Sequence, residues 1–192
     1  MMRLSNVDLR GNMMIWATQQ INVGRNSNLK DVVLVAPKIV IENGFSGVLQ
    51  CIATKSIEVE SRVALGYPSA LIVNQGNRPN PKDQSEPNIQ IGEHVSIKGI
   101  VTYLEEADEG NFSPQITVAE NTTVFGEIYC EKNLELKGAV IGNVTTDAFI
   151  ALENGSVYQN HLFNGTIDVT LLPMAYSGVL FTKEKALAKW LY

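Results

Sequence analysis

The sequence predicts an all-β protein: a single-stranded right-handed parallel β-helix, a triangular β-solenoid of about eight coils, with a short C-terminal helical cap. Three observations carry that expectation. Residues 15–60 state one pattern three times, so that Ile21, Ile39 and Ile57 lie eighteen residues apart, as do Val23, Ile41 and Val59. Residues 89–101 align without a gap on 116–128, setting Ile89-Gln90-Ile91-Gly92-Glu93 on Ile116-Thr117-Val118-Ala119-Glu120. Leu134-Glu135-Leu136, Ile150-Ala151-Leu152 and Ile167-Asp168-Val169 then return the same strand at intervals of sixteen and seventeen residues. A period this short holds a strand-turn-strand unit, which cannot bury its apolar side alone and has to stack on its neighbours.

Taken in order, residues 1–14 have no clear period and read as a lead-in segment and end cap. In the first full repeat Ile21 and Val23 alternate with Asn22, the period-two sign of a strand with one buried face. Gly24-Arg25-Asn26-Ser27-Asn28 supplies residues that tolerate left-handed backbone, and 29–36 gives two further short strands, hence a triangular coil. The second repeat, 39–56, turns at Glu42-Asn43-Gly44, and Phe45 takes the place of Leu29. The third runs from Ile57 to Val73, after which 74–88 holds three prolines and no large apolar side chain and reads as an exposed insertion. The surplus between 89 and 116 is a second, acidic insertion, 104–115. Each insertion precedes an Ile-x-Ile or Ile-x-Val strand, so both should leave the stack at the same corner and lie side by side. The β-helix spans 15–181 on this reading. Residues 182–192 change to helix formers with Leu187, Trp190 and Leu191 at helical spacing, and form the cap.

Handedness follows from the pattern. Apolar residues come in i, i+2 pairs and the repeat length varies from sixteen to eighteen, which suits a right-handed parallel β-helix better than the strict hexapeptide of left-handed ones.

Val124-Phe125-Gly126-Glu127-Ile128 and then Leu134-Glu135-Leu136-Lys137-Gly138-Ala139-Val140-Ile141-Gly142-Asn143-Val144 is similar to the V-x-G-x-I … L-x-L-x-x-G-A-x-V-x-G-x-V run of the bactofilins. The match is best over 89–169; 15–73 resembles that family in period. The resemblance implies a bacterial structural scaffold, a polymer-forming cytoskeletal protein whose β-helices join end to end without nucleotide. It also implies the bacterial cytoplasm or the cytoplasmic face of the membrane as its location.

Composition removes several classes. Fifteen Lys and Arg against twenty Asp and Glu give a net charge of -5 and a pI near 5.1, so no nucleic acid is expected as partner. Two cysteines, Cys51 and Cys130, are too few for a disulfide framework or a four-cysteine zinc site, and both fall at apolar strand positions that suit buried thiols. No run approaches the roughly twenty apolar residues of a membrane span, and residues 1–10 lack a charged and then apolar leader, so the chain reads as soluble. His94 and His161 are the only histidines, so a three-histidine zinc site cannot be built within one chain. No catalytic residue, cofactor or metal ligand is assigned.

The ends carry more weight, because the end of a β stack exposes unpaired backbone and an open apolar cross-section. Met13, Met14, Ile15 and Trp16 are therefore the candidate self-association residues, with a second copy as partner in a homo-oligomer or filament, and a membrane-associated or envelope protein as a further partner. Arg78, Lys82, Glu105, Glu106, Asp108 and Glu109 are the candidate partner-binding residues of the insertions. They support an alternative, a surface or secreted protein of the cell envelope that binds glycan or protein through its stacked loops. A polysaccharide-acting enzyme ranks below both. It would draw on Glu42, Glu58 and Glu60 beside Lys38 and Lys55, although charges at outward strand positions also simply keep a sheet soluble.

Overall fold

The computed structural model describes residues 1–76, 86–105, 113–153 and 155–172. Thirteen strands follow in order: β1 (Met2–Leu4), β2 (Asp8–Trp16), β3 (Gln20–Val23), β4 (Asn28–Ile41), β5 (Ser46–Val59), β6 (Ala64–Gly76), β7 (Ile89–Ile91), β8 (Ser96–Glu105), β9 (Ile116–Val118), β10 (Thr123–Leu136), β11 (Ala139–Glu153), β12 (Ser156–Gln159) and β13 (Thr166–Asp168). Every ladder is parallel except that of β11 with β12.

The period sets the register. Ile21 pairs with Ile39, Ile39 with Ile57, Ile57 with Ile89, Ile89 with Ile116, and Ile116 with Leu134. The fold class predicted from that period is corrected. The chain is not a β-helix or solenoid: its parallel sheet closes on itself in the hydrogen-bonded ring β5–β6–β8–β10–β9–β7 and back to β5, a six-stranded parallel barrel, with the other strands outside it. The cause is strand length. β5 and β10 each run fourteen residues without a break, and each takes part in two of the ladders that make the ring. β5 holds β6 through residues 46–53 and β7 through 57–59, and β10 holds β8 through 123–130 and β9 through 134–136. Periodicity reports which residues stack; it does not report whether a strand continues past a corner and joins two ladders. No helix occurs among the described residues, and the expected cap at 182–192 lies outside them.

The interior is a single apolar cluster running from Leu4 to Val140. Alternation decides its membership. In β5, Leu49, Cys51, Ala53, Ile57 and Val59 point in and are buried, and at about 1.5–3 kcal/mol per large side chain such burial is the main driving force for the fold. Phe45 stands two positions before the register equivalent of Leu29, yet its ring fills the same interior space: a Cβ on Gly47 would lie 2.6 Å from Phe45 Cζ and 2.7 Å from the Leu29 carbonyl oxygen.

Two corners shape the wall. In the first, Gly44, Arg62, His94 and Asn121 all adopt φ between 58° and 78° at the second residue of a tight turn, a conformation that costs a non-glycine residue about 1–2 kcal/mol. In the second, Gly99, Gly126 and Gly142 are register partners with φ near 150°. A Cβ on Gly99 would overlap the Ser69 carbonyl, and one on Gly142 the Gly126 carbonyl. The V-x-G-x-I run is thus a backbone requirement of a corner where successive strands approach too closely for any side chain.

Candidate interaction surface

Beyond the second corner the wall passes through β2, β4, β5, β6, β8 and β10, and its outward rows can be read from register. One row is Met14, Val33, Gln50, Ala70, Ile100 and Glu127; the next is Trp16, Val35, Ile52, Ile72, Thr102 and Tyr129. Eight of these twelve residues are apolar and contiguous from the β2 edge as far as β8; Ala70, Thr102 and Glu127 are buried, so the accessible apolar part is Met14 and Trp16 with the partly exposed Val33, Val35, Ile52, Ile72 and Ile100. Met14 and Trp16 are 68% and 63% exposed. Behind them Met13 and Ile15 are half-buried and pack on the core. The four self-association candidates therefore share one strand but divide between two sides of the sheet. β2 pairs only with β4 and β1 only with β3, so among the described residues the outer backbone edge of both strands has no strand against it.

The rest of the apolar face was not assigned from sequence, although a signal was present. Val32-Val33-Leu34-Val35, Cys51-Ile52-Ala53 and Leu71-Ile72-Val73 interrupt strict alternation, and continuous apolar runs mark strands covered on both sides.

The insertion candidates divide differently. Arg78, Lys82, Glu106, Asp108 and Glu109 lie outside the described residues. Glu105 ends β8 and is buried, accepting a hydrogen bond from the Tyr103 hydroxyl at 2.7 Å, while its own backbone N–H donates to Glu131 Oε2 at 2.7 Å. Burial, then the neighbouring Glu105 carboxylate, pushes the Tyr103 hydroxyl far above the ordinary phenolic range. The strands that lead into the two insertions are partners, Asn74 with Leu104 and Gly76 with Glu105. Where the chain returns, Ile57 N–H donates to Asn88, Ile89 N–H to Gln115, and Gln115 N–H to Asn133, each at a carbonyl oxygen.

The acidic residues considered for catalysis lie on another outward face, and each is engaged. Glu58 pairs with Lys38 at 3.2 Å, Glu42 with Arg3 at 2.9 Å, and Glu60 accepts the Asn43 backbone N–H at 2.8 Å. An open groove of about 420 Å³ runs between Asn43, Glu58, Glu60, Gln90, Gly92 and Thr117. Lys55 lies two residues before Ile57, where its carbonyl accepts from the Asn88 side chain at 2.9 Å. His94 occupies a left-handed turn position beside Arg62 and Asn121, and His161 lies 6.1 Å from the Tyr158 ring. Among the described residues no group of three or more His, Cys, Asp or Glu is placed to hold a metal ion. Among the described residues no helix is long and apolar enough to cross a membrane.

What the described residues define as a class is an all-β closed parallel barrel with an apolar outer face that ends at the open edge of β2. No family model, curated protein or solved structure matches the chain. Nothing therefore identifies it as a bactofilin, and with the closed barrel in place the polymer-forming, cytoskeletal expectation has no support.

Proposed function

We propose that the protein is a non-enzymatic structural protein that associates with copies of itself through the amino-terminal edge of its apolar outer face. The observation that carries this reading is the pair Met14 and Trp16, two large apolar side chains exposed at the outer rim of a strand that has no partner on its open side among the described residues. Monomers blunt such an edge with charge, proline or a bulge; the first half of β2 has both the Asp8–Arg10 ion pair and a bulge between Arg10 and Met13, whereas past the bulge the exposed residues Met14 and Trp16 are apolar. Burying both residues on two copies covers four side chains at about two-thirds of full burial, about 4–8 kcal/mol in gross terms. Association itself costs an estimated 4–15 kcal/mol, roughly, so backbone pairing along the edge has to supply the surplus, and micromolar affinity is the regime to search.

Sedimentation velocity at tens of micromolar tests this. The wild type should sediment above monomer mass, and a Met14→Lys, Trp16→Lys double variant with an unchanged circular-dichroism spectrum should return to monomer. A strictly monomeric wild type sinks the reading.

A second reading, recognition of a glycan or protein by the two insertions, draws on the pairing of Asn74 with Leu104 and Gly76 with Glu105, which starts the two segments next to each other.

A further inference from the structure

We propose that β2 pairs antiparallel with β2 of a second copy about a two-fold axis through Ile15, and that association closes at a dimer. This rests on the self-association reading above and specifies its geometry. In an antiparallel pair, opposed residues share a face of the sheet, so a strand can pair with itself only if its inward and outward pattern survives reversal. Residues 13–17 meet that condition about Ile15. Met13 and Ile15 are half-buried, Met14 and Trp16 exposed, and Ala17 buried. Reversal lays Met14 of each copy against Trp16 of the other on the outside, Ile15 against Ile15 on the inside, and Met13, the larger side chain, against the small Ala17. Centring on Met14 instead leaves Trp16 facing Asn12, and centring on Trp16 leaves Met14 facing Thr18, in each case an apolar side chain against an exposed polar one.

The occupant is a second copy because the two ends of the sheet are unlike. The outward row that begins at Met14 ends at Asn143 and the row that begins at Trp16 ends at Thr145, both exposed and polar, with exposed Asp147 beyond them. Farther along, β11 is covered from Ile150 to Glu153 by antiparallel β12. The far end thus offers the apolar edge nothing to complement, and a head-to-tail chain has no second contact of the same kind. The isologous pairing also joins the outward apolar rows of the two copies across Met14 and Trp16 into one face, continuing through Val33, Val35, Ile52 and Ile72 on each side. A closed two-fold dimer is the arrangement in which one self-complementary patch is used fully.

Cysteine substitution on the axis tests the geometry. Opposed Cα atoms in an antiparallel pair lie about 4.5–5.5 Å apart, within reach of a disulfide, so Ile15→Cys should convert most of the full-length protein to a covalent dimer under mild oxidation. No larger species should form, and Asn143→Cys should give no dimer. Cys51 and Cys130 are buried and contribute no background. If Ile15→Cys fails to fold, Met13→Cys with Ala17→Cys places each new thiol opposite the other in the partner, keeps Met14 and Trp16 in place, and serves the same purpose. A wild type that sediments as a dimer while neither variant cross-links overturns the pairing and leaves self-association standing. Cross-linking through Asn143→Cys, or a wild-type mass that climbs past two with concentration, overturns closure. A monomeric wild type removes the self-association reading itself.

Discussion

The sheet has two outer faces that share the long strands β4 and β5, and they differ in kind. Along β1, β3, β4, β5, β7, β9 and β10 the outward row is Arg3, Asn22, Val40, Glu58, Gln90, Thr117 and Glu135, polar at six of seven positions and cross-linked by Arg3–Glu42, Lys38–Glu58 and Lys137–Glu135. Round the corner, β2, β4, β5, β6 and β8 present Met14, Trp16, Val33, Val35, Ile52, Ile72 and Ile100. A strand such as β5 contributes Glu58 to one face and Ile52 to the other, so strand identity and core packing do not account for the contrast. Solvent suits the first face. The second carries the pattern of a surface meant to be covered.

The largest separation between inside and outside should appear at neighbouring positions of β6. Leu71 is fully buried and Leu71→Ala should cost about 2–5 kcal/mol in urea unfolding. Ile72, one residue on and turned outward, should lose only about 0.5 kcal/mol as Ile72→Thr while weakening self-association. If Ile72→Thr destabilised a monomer as strongly as Leu71→Ala, the face would be part of an intramolecular core and the contrast would fail.

The wall behind the apolar face holds both thiols, which makes its integrity readable by pH. Burial raises the Cys51 pKa well beyond its ordinary range, and burial, only partly offset by hydrogen bonds from the Lys132 backbone and Thr146, pushes Cys130 up to about 12. In the unfolded chain both ionise near 9, so above that pH the native state retains protons that the unfolded state has lost. Stability is then fully present below about pH 9 and falls as pH rises toward 12, by up to about 1.4 kcal/mol per pH unit for each thiol. Urea midpoints from pH 7 to pH 10.5 should follow that descent, and Cys51→Ala with Cys130→Ala should flatten it. An unchanged slope in the double variant would place the titration elsewhere, Tyr103 being the next buried group.

How far the sequence led can be judged at particular residues. Ile21, Ile39, Ile57, Ile89, Ile116 and Leu134 stack as their spacing required, because an i, i+2 apolar pair on one strand has to meet its equivalent to bury a common face. Closure of the ring was not legible: whether β5 stops near Ala53 or continues to Val59 depends on backbone geometry at Thr54 and Lys55, and neither residue is a turn former that could have marked it. Phe45 and Gly47 exchanged roles in space while keeping their positions in sequence, a compensation visible only once the ring is placed. At the candidate surface, Met14 and Trp16 could be singled out from sequence because an edge has to end somewhere, and the structure exposes both. Val35, Ile52 and Ile72 carry no such mark, because the alternation that defines a buried face assigns no role to an apolar residue on the outward side. Glu105 was read with the charged insertion, whereas its partners Tyr103 and Glu131 belong to the wall.

The smallest effect should come from the polar face, and its smallness is informative. Lys38 and Glu58 lie 3.2 Å apart with both side chains 40% exposed, so solvent screens their attraction and holding two flexible chains together offsets much of the rest; such pairs contribute about 0–1 kcal/mol. Lys38→Ala should therefore shift the urea midpoint by less than about 0.5 kcal/mol and leave the sedimentation coefficient of the protein where it was. Raising the salt concentration should erase even that shift, because exposed charges are screened beyond about 8–10 Å at physiological ionic strength and over shorter distances in more concentrated salt. Self-association through Met14 and Trp16 should instead persist or strengthen in a salting-out anion such as sulfate, which favours apolar burial. Opposite responses of the two faces to one reagent would assign the contact to the apolar one; dissociation of the oligomer by salt, with Lys38→Ala reproducing it, would transfer the contact to the face of Glu58 and Gln90.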